Sequence, residues 1–415
     1  MAERLQALDA FAGAGGWSVA CAQLGIDDLG IENEPIVVQT RAAAGFETLF
    51  NDVWEGVHER ANFTMPIFLG SPPCQAFSVA GRGDGRTAMD DILRALEEQV
   101  YASGRAGMDA VRNKLGDKIA LVLSPMSYIW RDRPTFVALE QVPQVLPVWE
   151  AFKPHLEWMG YSVEVGVLSA ERYGVPQTRR RAILVARNDG GIARLPRPTH
   201  SKYYTRDPER LDKGVKPWVS MFEALENAQH EFLLSTYSTN GDYQNRGVRT
   251  IDQPAPTITS KANRMKWDGL ESMSPEDASQ LQTFPAAWGF KNRPALTVTG
   301  HGLVTRHPTG QKTAVMNALE AGTFTPRSRY DLESARKAGE QREDYLSLSS
   351  RYEPDAVNCS PLDNAILQTF PVGFPFQGTR TQKYLQIGNA LPPLLAKAIL
   401  EALLCSVLDS HDSDW

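Results

Sequence analysis

The first half of the chain alternates short apolar runs with helix-length stretches, the pattern of a doubly wound parallel sheet with helices on both faces. Gln6 to Phe11 reads as the first strand and Trp17 to Gly25 as the helix after it. Leu29 to Glu32 reads as the second strand, Pro66 to Leu69 as the end of a short buried one, and Thr135 to Glu140 as a later central one. Arg180 to Ala186 is a further strand with its charged end first, and Thr87 to Asn113 is a charged, helical insertion between two strands. After about Asn188 the periodicity fades into prolines, aromatics and polar residues, as in Pro196 to Tyr204, which marks a second, smaller, irregular domain. Gly388 to Pro393 is a turn that opens an apolar helix, Leu394 to Leu404, and the tail from Asp409 to Trp415 is expected to be disordered.

The irregular domain contains an echo. Ser274-Pro275-Glu276-Asp277 through Leu281-Gln282-Thr283-Phe284-Pro285 recurs as Ser360-Pro361-Leu362-Asp363 through Leu367-Gln368-Thr369-Phe370-Pro371. Strand-like pieces, Pro254 to Thr259 and Pro294 to Thr299, precede the copies. Two spaced copies are a local duplication, since repeat arrays need three or more stacked units. Only the second copy runs directly into Gln386 to Asn389, so it is expected to be the structural joint.

A length of 415 residues suffices for two domains, and 42% hydrophobic with 22% charged residues describes a globular protein. No uninterrupted apolar run approaches the roughly 18 residues of a membrane span, and Met1-Ala2-Glu3-Arg4 does not begin a secretory signal. Cys21, Cys74, Cys359 and Cys405 are scattered without metal-ligand spacing, which fits a reducing cytosol and a free thiol at Cys74. The net charge of −6 argues against a nucleic-acid binder, but residues 191–330 carry 18 Lys and Arg against 13 Asp and Glu. The middle of the chain is the basic part of an acidic protein. A merely solvated surface would show the same bias.

Candidate chemistry gathers at strand ends, where open α/β sheets bind ligands. Gly70 to Ser78 sets a cysteine behind two prolines, whose fixed φ makes a stiff loop that can aim a side chain. An ordinary turn with a buried thiol reads equally well from this segment alone. Asp9 to Ser18 is a strand running into a glycine-rich turn and then a helix. Its Gly13, Gly15 and Gly16 form neither the dinucleotide fingerprint nor a P-loop. Glu32 ends the next strand, where a carboxylate can accept two ribose hydroxyls, and Asp52 is placed to accept from an adenine amino group. Together they suggest a nucleoside cofactor without a pyrophosphate, which S-adenosylmethionine satisfies. Glu140 ends an apolar strand, where burial favours the protonated acid and makes a proton donor, although a capping or surface Glu reads as well. In Gln177 to Arg181, alternation sends Arg179 and Arg181 to one face and Arg180 to the other; a solvated basic edge is the plainer alternative.

In order along the chain, DAFAGAGG at 9–16, Glu32, Asp52, GSPPCQAFS at 70–78, ALEQV at 138–142, QTRRR at 177–181 and QIGNALPP at 386–393 closely resemble the cytosine C5 DNA methyltransferases of bacteria and phages. The resemblance spans about the first 190 residues and the last 60. It implies a Rossmann-like methyltransferase domain at 1–190, a target-recognition domain at 191–382, and a helix at 383–415 completing the first. It implies S-adenosylmethionine as methyl donor, with Phe11 on the adenine and Gly13, Gly15, Gly16, Glu32, Asp52, Pro73, Leu121 and Asn389 lining the cofactor site. By the same resemblance Cys74 is the nucleophile, Glu140 holds or protonates the base N3, Arg181 and Arg179 contact the base O2 and the active-site loop, and Gln75 and Ser78 bind substrate. No metal is implied. The implied partner is double-stranded DNA from which the cytosine is flipped out, with a cognate restriction endonuclease that forms no stable complex. A monomer in the bacterial cytoplasm, on the nucleoid when acting and apart from membranes, completes the expectation.

Three features depart from the family pattern. Glu140-Gln141-Val142 stands where Glu-Asn-Val is usual, and Gln can make similar amide bonds. The segment 88–113 lengthens the loop region after Cys74, and the element before each LQTFP copy is degenerate. A transfer-RNA-methylating branch shares the fold but commonly carries another dipeptide after its cysteine, where this chain has Gln75-Ala76. A catalytically dead DNA-binding relative would be expected to have lost at least one of Cys74, Glu140, Arg179 and Arg181, and all are present.

Overall fold

Strand β1 (Gln6–Ala10) is buried on both faces from Ala7 onward, as a central strand of a helix-covered sheet must be. It pairs in parallel with β2 (Asp27–Ile31) on one side and β4 (Ile67–Gly70) on the other. With β3 (Glu47–Phe50), β5 (Phe136–Gln141), β6 (Ser162–Ser169) and β7 (Arg180–Arg187) it forms a seven-stranded sheet of order β3-β2-β1-β4-β5-β7-β6. The order in which strands are added reverses between β1 and β4, from one half of the sheet to the other. The structure, a computed structural model, describes residues 4–50, 52–58, 65–73, 77, 88–207, 209–225, 232–235, 248–259, 265–268 and 357–411. The sheet is not wholly parallel: β7 runs against both β5 and β6. Only residues 170–179 separate β6 from β7, too few for the helical crossover that a parallel return needs.

Alternation along the strands divides the core in two. Leu8, Ala10, Phe68, Val137, Leu139, Ala182 and Leu184 face α3 (Val53–His58), α4 (Met89–Glu97), α5 (Gly104–Leu115), α7 (Ser124–Asp132) and α8 (Leu146–Trp158), the short α6 (Asp117–Ala120) lying between α5 and α7. Ala7, Ile67, Leu69, Ala138, Ile183 and Val185 face α1 (Gly16–Gln23) and the C-terminal α12 (Pro393–His411). The insertion after Cys74 is therefore not only added loop, because Ile92, Leu96, Tyr101, Met108 and Val111 are built into the first core.

Helix α12 continues through His411, past the point at Asp409 where the sequence suggested disorder. By composition the stretch Arg380–Cys405 is long and apolar enough on average to cross a bilayer, although Lys397 and Glu401 interrupt its apolar run. Leu395, Ala396, Ile399, Leu400, Leu403 and Leu404 are instead fully buried against the sheet and α1. This is a core helix.

One buried ion pair locks the sheet's outer half. Arg41 of α2 (Pro35–Ala43) is fully buried and donates to Asp28 Oδ2 (3.1 Å), Ser18 Oγ (2.9 Å), Thr48 Oγ1 (3.3 Å) and the Glu47 carbonyl (3.0 Å). Those bonds join α1, α2, β2 and β3. Asp9, opposite Gly30 in the sheet, is fully buried with both carboxylate oxygens unpartnered, and burial followed by the Asp28 charge pushes its carboxyl well up. Burial thus disfavours the charged form of Asp9, and Asp28, also pushed up by burial but pulled back by Arg41, is the carboxylate that pairs with it.

The second region has an antiparallel sheet of order β11 (Val357–Asn358), β10 (Met265–Asp268), β8 (Phe232–Ser235), β9 (Val248–Thr250). Three helices outside the large sheet start on capping boxes: α9 (Met221–Ala224) on Ser220 and Glu223, α10 (Pro361–Leu367) on Ser360 and Asp363, and α11 (Arg380–Asn389) on Thr379 and Gln382. The second Ser-Pro-x-Asp echo is thus a helix start followed by a turn, in which Thr369 adopts a φ of 69°. The first copy lies outside the described residues. A third core joins Met221, Ile251, Ala255, Ile258, Leu367, Phe370, Tyr384 and Ile387 to Ala14 and Val19 beside the glycine turn.

Gly30 makes room for the Arg41 guanidinium: a Cβ there would lie 2.1 Å from Nη2. Gly30→Ala should displace Arg41 from Asp28 and lower unfolding stability by about 3 kcal/mol. Denaturant titration showing an unchanged midpoint would remove Arg41 as the strut of this half.

Candidate active site

The cofactor half forms at the switch between β1 and β4. Past Ala10 the chain turns through positive φ at Phe11 (64°), Gly13 (55°) and Gly15 (110°), and a non-glycine residue in that region is uncommon. The turn is tied down by Ala12 N–H to the Ile31 carbonyl (3.0 Å) and Gly15 N–H to the Ala12 carbonyl (3.1 Å). Gly16 lies so close to the α12 entry that a Cβ would meet the Leu391 carbonyl oxygen at 2.4 Å. Glu32, at the end of β2, accepts the Gly13 N–H on Oε2 and the Asn33 and Glu34 N–H groups on Oε1, each at 2.9 Å. Burial pushes its carboxyl up, and those donors, with Glu34 foremost, pull it back. Asp52 caps α3 by accepting the Trp54 N–H at 3.0 Å on Oδ1. Half-buried Leu121 packs against the first core, and Phe11 does the same.

These residues fit S-adenosylmethionine. The cradle needs glycine at its tight positions, the Glu32 carboxyl oxygens suit sugar hydroxyls, and the turn brings no Lys or Arg for a pyrophosphate. Asn389 at the end of α11 has an exposed side chain, while its main-chain neighbours Gly388 and Ala390 are gripped from below by Arg179.

The substrate half lies at the ends of β4, β5 and β7. Ser71 extends β4 by donating its N–H to the Ala10 carbonyl (3.1 Å), and its Oγ accepts from Trp17 Nε1 (3.0 Å). Gln141 donates from Nε2 to the Pro72 carbonyl, and its Oε1 accepts the Val142 N–H. The Gln that replaces the usual Asn thus anchors the diproline turn. Pro73 is half-buried and Phe77 fully buried, so the loop is held on both sides of Cys74. Cys74, Gln75 and Ser78 themselves lie outside the described residues. Glu140 pairs with Arg181 Nε at 2.6 Å, with 7% and 11% of the two side chains exposed. Glu140 sits opposite Ile183 on β7, so alternation carries Arg181 to the same face.

Arg179 has a different task from Arg181. It is 1% exposed and donates to the carbonyls of Ile258 (2.6 Å), Gly388 (3.1 Å) and Ala390 (2.9 Å). Gln177, fully buried, donates to the Leu367 carbonyl (3.1 Å) and to Gln368 Oε1, and accepts the Ile258 N–H (2.9 Å). Gln368 in turn donates to the Ala390 carbonyl at 2.6 Å. Around them residues 176–178 pair with Ala255 through Thr178 N–H (2.7 Å) and Ala255 N–H (2.8 Å). The second LQTFP copy is in this joint. Sequence reasoning passed over Gln177 and Gln368 as site residues, although one opens QTRRR and the other occurs in both echoes.

Comparison with known proteins bears on what this geometry serves. The profile of the C-5 cytosine-specific DNA methylases matches residues 5–302 and 321–405. The chain belongs to that family. This methyltransferase is 24% identical over 410 residues to the type II methyltransferase M1.HphI of Haemophilus parahaemolyticus, covering 96% of this chain and 86% of the relative. It is 30% identical over 242 residues to the type II methyltransferase M.MthTI of Methanothermobacter thermautotrophicus, covering 52% of this chain and 66% of that one. It also aligns over 99% of its length with 29% of mouse DNA (cytosine-5)-methyltransferase 1, at 24% identity. Among solved structures the S. pombe Dnmt2 methyltransferase shares the fold, with a TM-score of 0.52 at 14% identity over 97% of this chain and 99% of that one.

Glu32→Ala and Asp52→Ala should each weaken S-adenosylmethionine binding by about 1–3 kcal/mol, the range for lost hydrogen bonds to a charged group. Titration calorimetry with both affinities unchanged would remove the ribose and adenine contacts from these residues.

Proposed function

We propose that this DNA (cytosine-5)-methyltransferase acts through Cys74, Glu140 and Arg181, with Arg179 bracing them from beneath. The Glu140–Arg181 pair beside the anchored Ser71–Pro73 turn is the observation that carries the reading. Cytosine C5 is too weak a nucleophile to take a methyl unaided. Addition of the Cys74 thiolate to C6 forms a C–S bond and moves the C5=C6 electron pair onto C5. Glu140 holds or protonates N3, and Arg181 sits where it can both orient Glu140 and reach the base O2. S-adenosylmethionine supplies the electrophilic methyl group when bound. Loss of the C5 proton to a base then expels Cys74 and restores the ring. A stacked cytosine hides both faces, so the base is flipped into the cleft first.

Residues 191–382 form the target-recognition part in this reading, residues 1–190 the catalytic part, and the chain from 383 returns to complete it. Phe11, Gly13, Gly15, Gly16, Pro73, Leu121 and Asn389 line the cofactor cradle, and Gln75 and Ser78 contact the substrate. In this reading the methyltransferase works as a monomer on cytoplasmic, nucleoid DNA, alongside a restriction endonuclease of the same specificity; the type II names of the relatives bear on the last of these alone.

A duplex carrying 5-fluorocytosine at the target should trap the wild-type chain covalently, because fluorine cannot leave as the proton does. Cys74→Ser should abolish both the adduct and methylation while retaining DNA binding. An adduct that forms equally well in Cys74→Ser would show that another residue is the nucleophile.

A further inference from the structure

Helix α3 is six residues long, too short to hold its own shape, and it begins immediately after Asp52. Asp52 caps it through the Trp54 N–H on Oδ1, and Oδ2 is the oxygen left for an adenine amino group. The helix is held from outside, by α7 and by the insertion. Tyr128 of α7 is 1% exposed and donates from its hydroxyl to the Val53 carbonyl (2.5 Å). Its ring stacks on Phe68 of β4, with centroids 5.3 Å apart, so the hydroxyl is aimed from the central sheet. Burial pushes the phenol up and keeps it a donor. Arg131, one turn further along α7, donates to the Gly56 carbonyl. The approach is so close that a Cβ on Gly56 would lie 2.2 Å from the Tyr128 hydroxyl oxygen. Arg112 of α5, within the insertion, lies over the Trp54 ring at 4.5 Å from its centroid. Asp117 and Asp109 hold that guanidinium through Nε (2.8 Å) and Nη1 (3.3 Å). Helix α7 also follows directly on Leu121–Leu123, and Ser124 donates its hydroxyl to the Leu121 carbonyl (2.9 Å). One helix thus ties together Leu121 and Asp52, both read above as cofactor contacts.

We propose that Tyr128 and Arg112 are positioning residues for adenine: by fixing α3 they aim Asp52 at the 6-amino group, and the insertion serves cofactor selection. The inference rests on the reading of Asp52 as the adenine contact. Neither positioning residue touches the cofactor. A carboxylate discriminates between purines only if it is held at hydrogen-bond distance, since one free to turn away is satisfied by water instead. A hydrogen bond from a buried phenol and a cation seated on a buried indole supply that hold. The segment that lengthens the loop region after Cys74 is in this way directed to the methyl donor and not to DNA.

The test compares S-adenosylmethionine with its analogue lacking the purine 6-amino group, by titration calorimetry on the full chain. The wild type should prefer S-adenosylmethionine by about tenfold or more, the scale of one hydrogen bond to a charged group. Tyr128→Phe keeps the stacked ring and removes the hydroxyl. It should cut that preference to about threefold or less, by the loosened-carboxylate argument, while the analogue binds nearly as well as before. Arg112→Met, at a partly exposed position, should cut it in the same direction and leave affinity for a DNA duplex at the wild-type level. Adding Tyr128→Phe to Asp52→Ala should change the preference no further. A merely structural role would weaken both ligands together, so an unchanged preference in Tyr128→Phe and Arg112→Met would overturn the proposal. Loss of DNA affinity in Arg112→Met with the preference intact would overturn the insertion's part in it. Undiminished preference in Asp52→Ala would instead overturn the adenine reading beneath it.

Discussion

A buried guanidinium needs acceptors for its donors, and the Nη groups of Arg179 find them on segments that are remote in sequence. Its partners at Ile258, Gly388 and Ala390 lie 79, 209 and 211 residues further along the chain. Gln177 makes the parallel set of bonds to Ile258, Leu367 and Gln368. Because the Arg179 acceptors are all main-chain carbonyls, and Gln177 bonds the Ile258 N–H and the Leu367 carbonyl, the joint fixes backbone positions and not merely side chains. Everything functional hangs from it: the strand that delivers Arg181, the strand-like segment leading out of the second sheet, and the turn that closes over the glycine cradle.

The two halves of the site are preorganised by different means. At the glycine turn, Glu32 gathers main-chain N–H groups from the turn and from its own strand end, so one carboxylate shapes the cradle. In the substrate half, side chains brace each other: Arg181 against Glu140, and Gln141 against the Pro72 carbonyl. Donors already aimed and desolvated need no reorganisation when charge develops on a base, which is where such sites gain most of their rate. Arg41 and Asp28 serve the outer strands in the same way, at a distance from the chemistry.

The fold was legible where local rules decide it. Buried apolar runs gave the strands, Gly and Pro marked the turns, and the spacing of Ser360 from Asp363 encodes a helix start. The reversal of β7 was not legible, since strand direction depends on the length of a connection whose ends are known only once the sheet is formed. The burial of the 88–113 insertion was hidden by its charge: Asp91, Arg94, Arg112 and Lys114 pair on the outside while Ile92, Leu96 and Met108 face in. Arg179 and Arg181 look alike in sequence, and only the partners that each meets, main-chain carbonyls for one and a carboxylate for the other, tell their settings apart. The burial of Glu171 and Arg249 left no signal, because it is set by tertiary packing alone.

The central claim is that the buried joint at Gln177 and Arg179 holds three distant segments in place around the site. Amide hydrogen exchange on Arg179→Lys tests it most directly, because lysine keeps the charge but cannot serve the same set of carbonyls. Protection should fall together at residues 255–258 and 386–391 and stay at the wild-type level in β1 and β4. Loss confined to one of the two segments, or protection unchanged in both, would contradict the account.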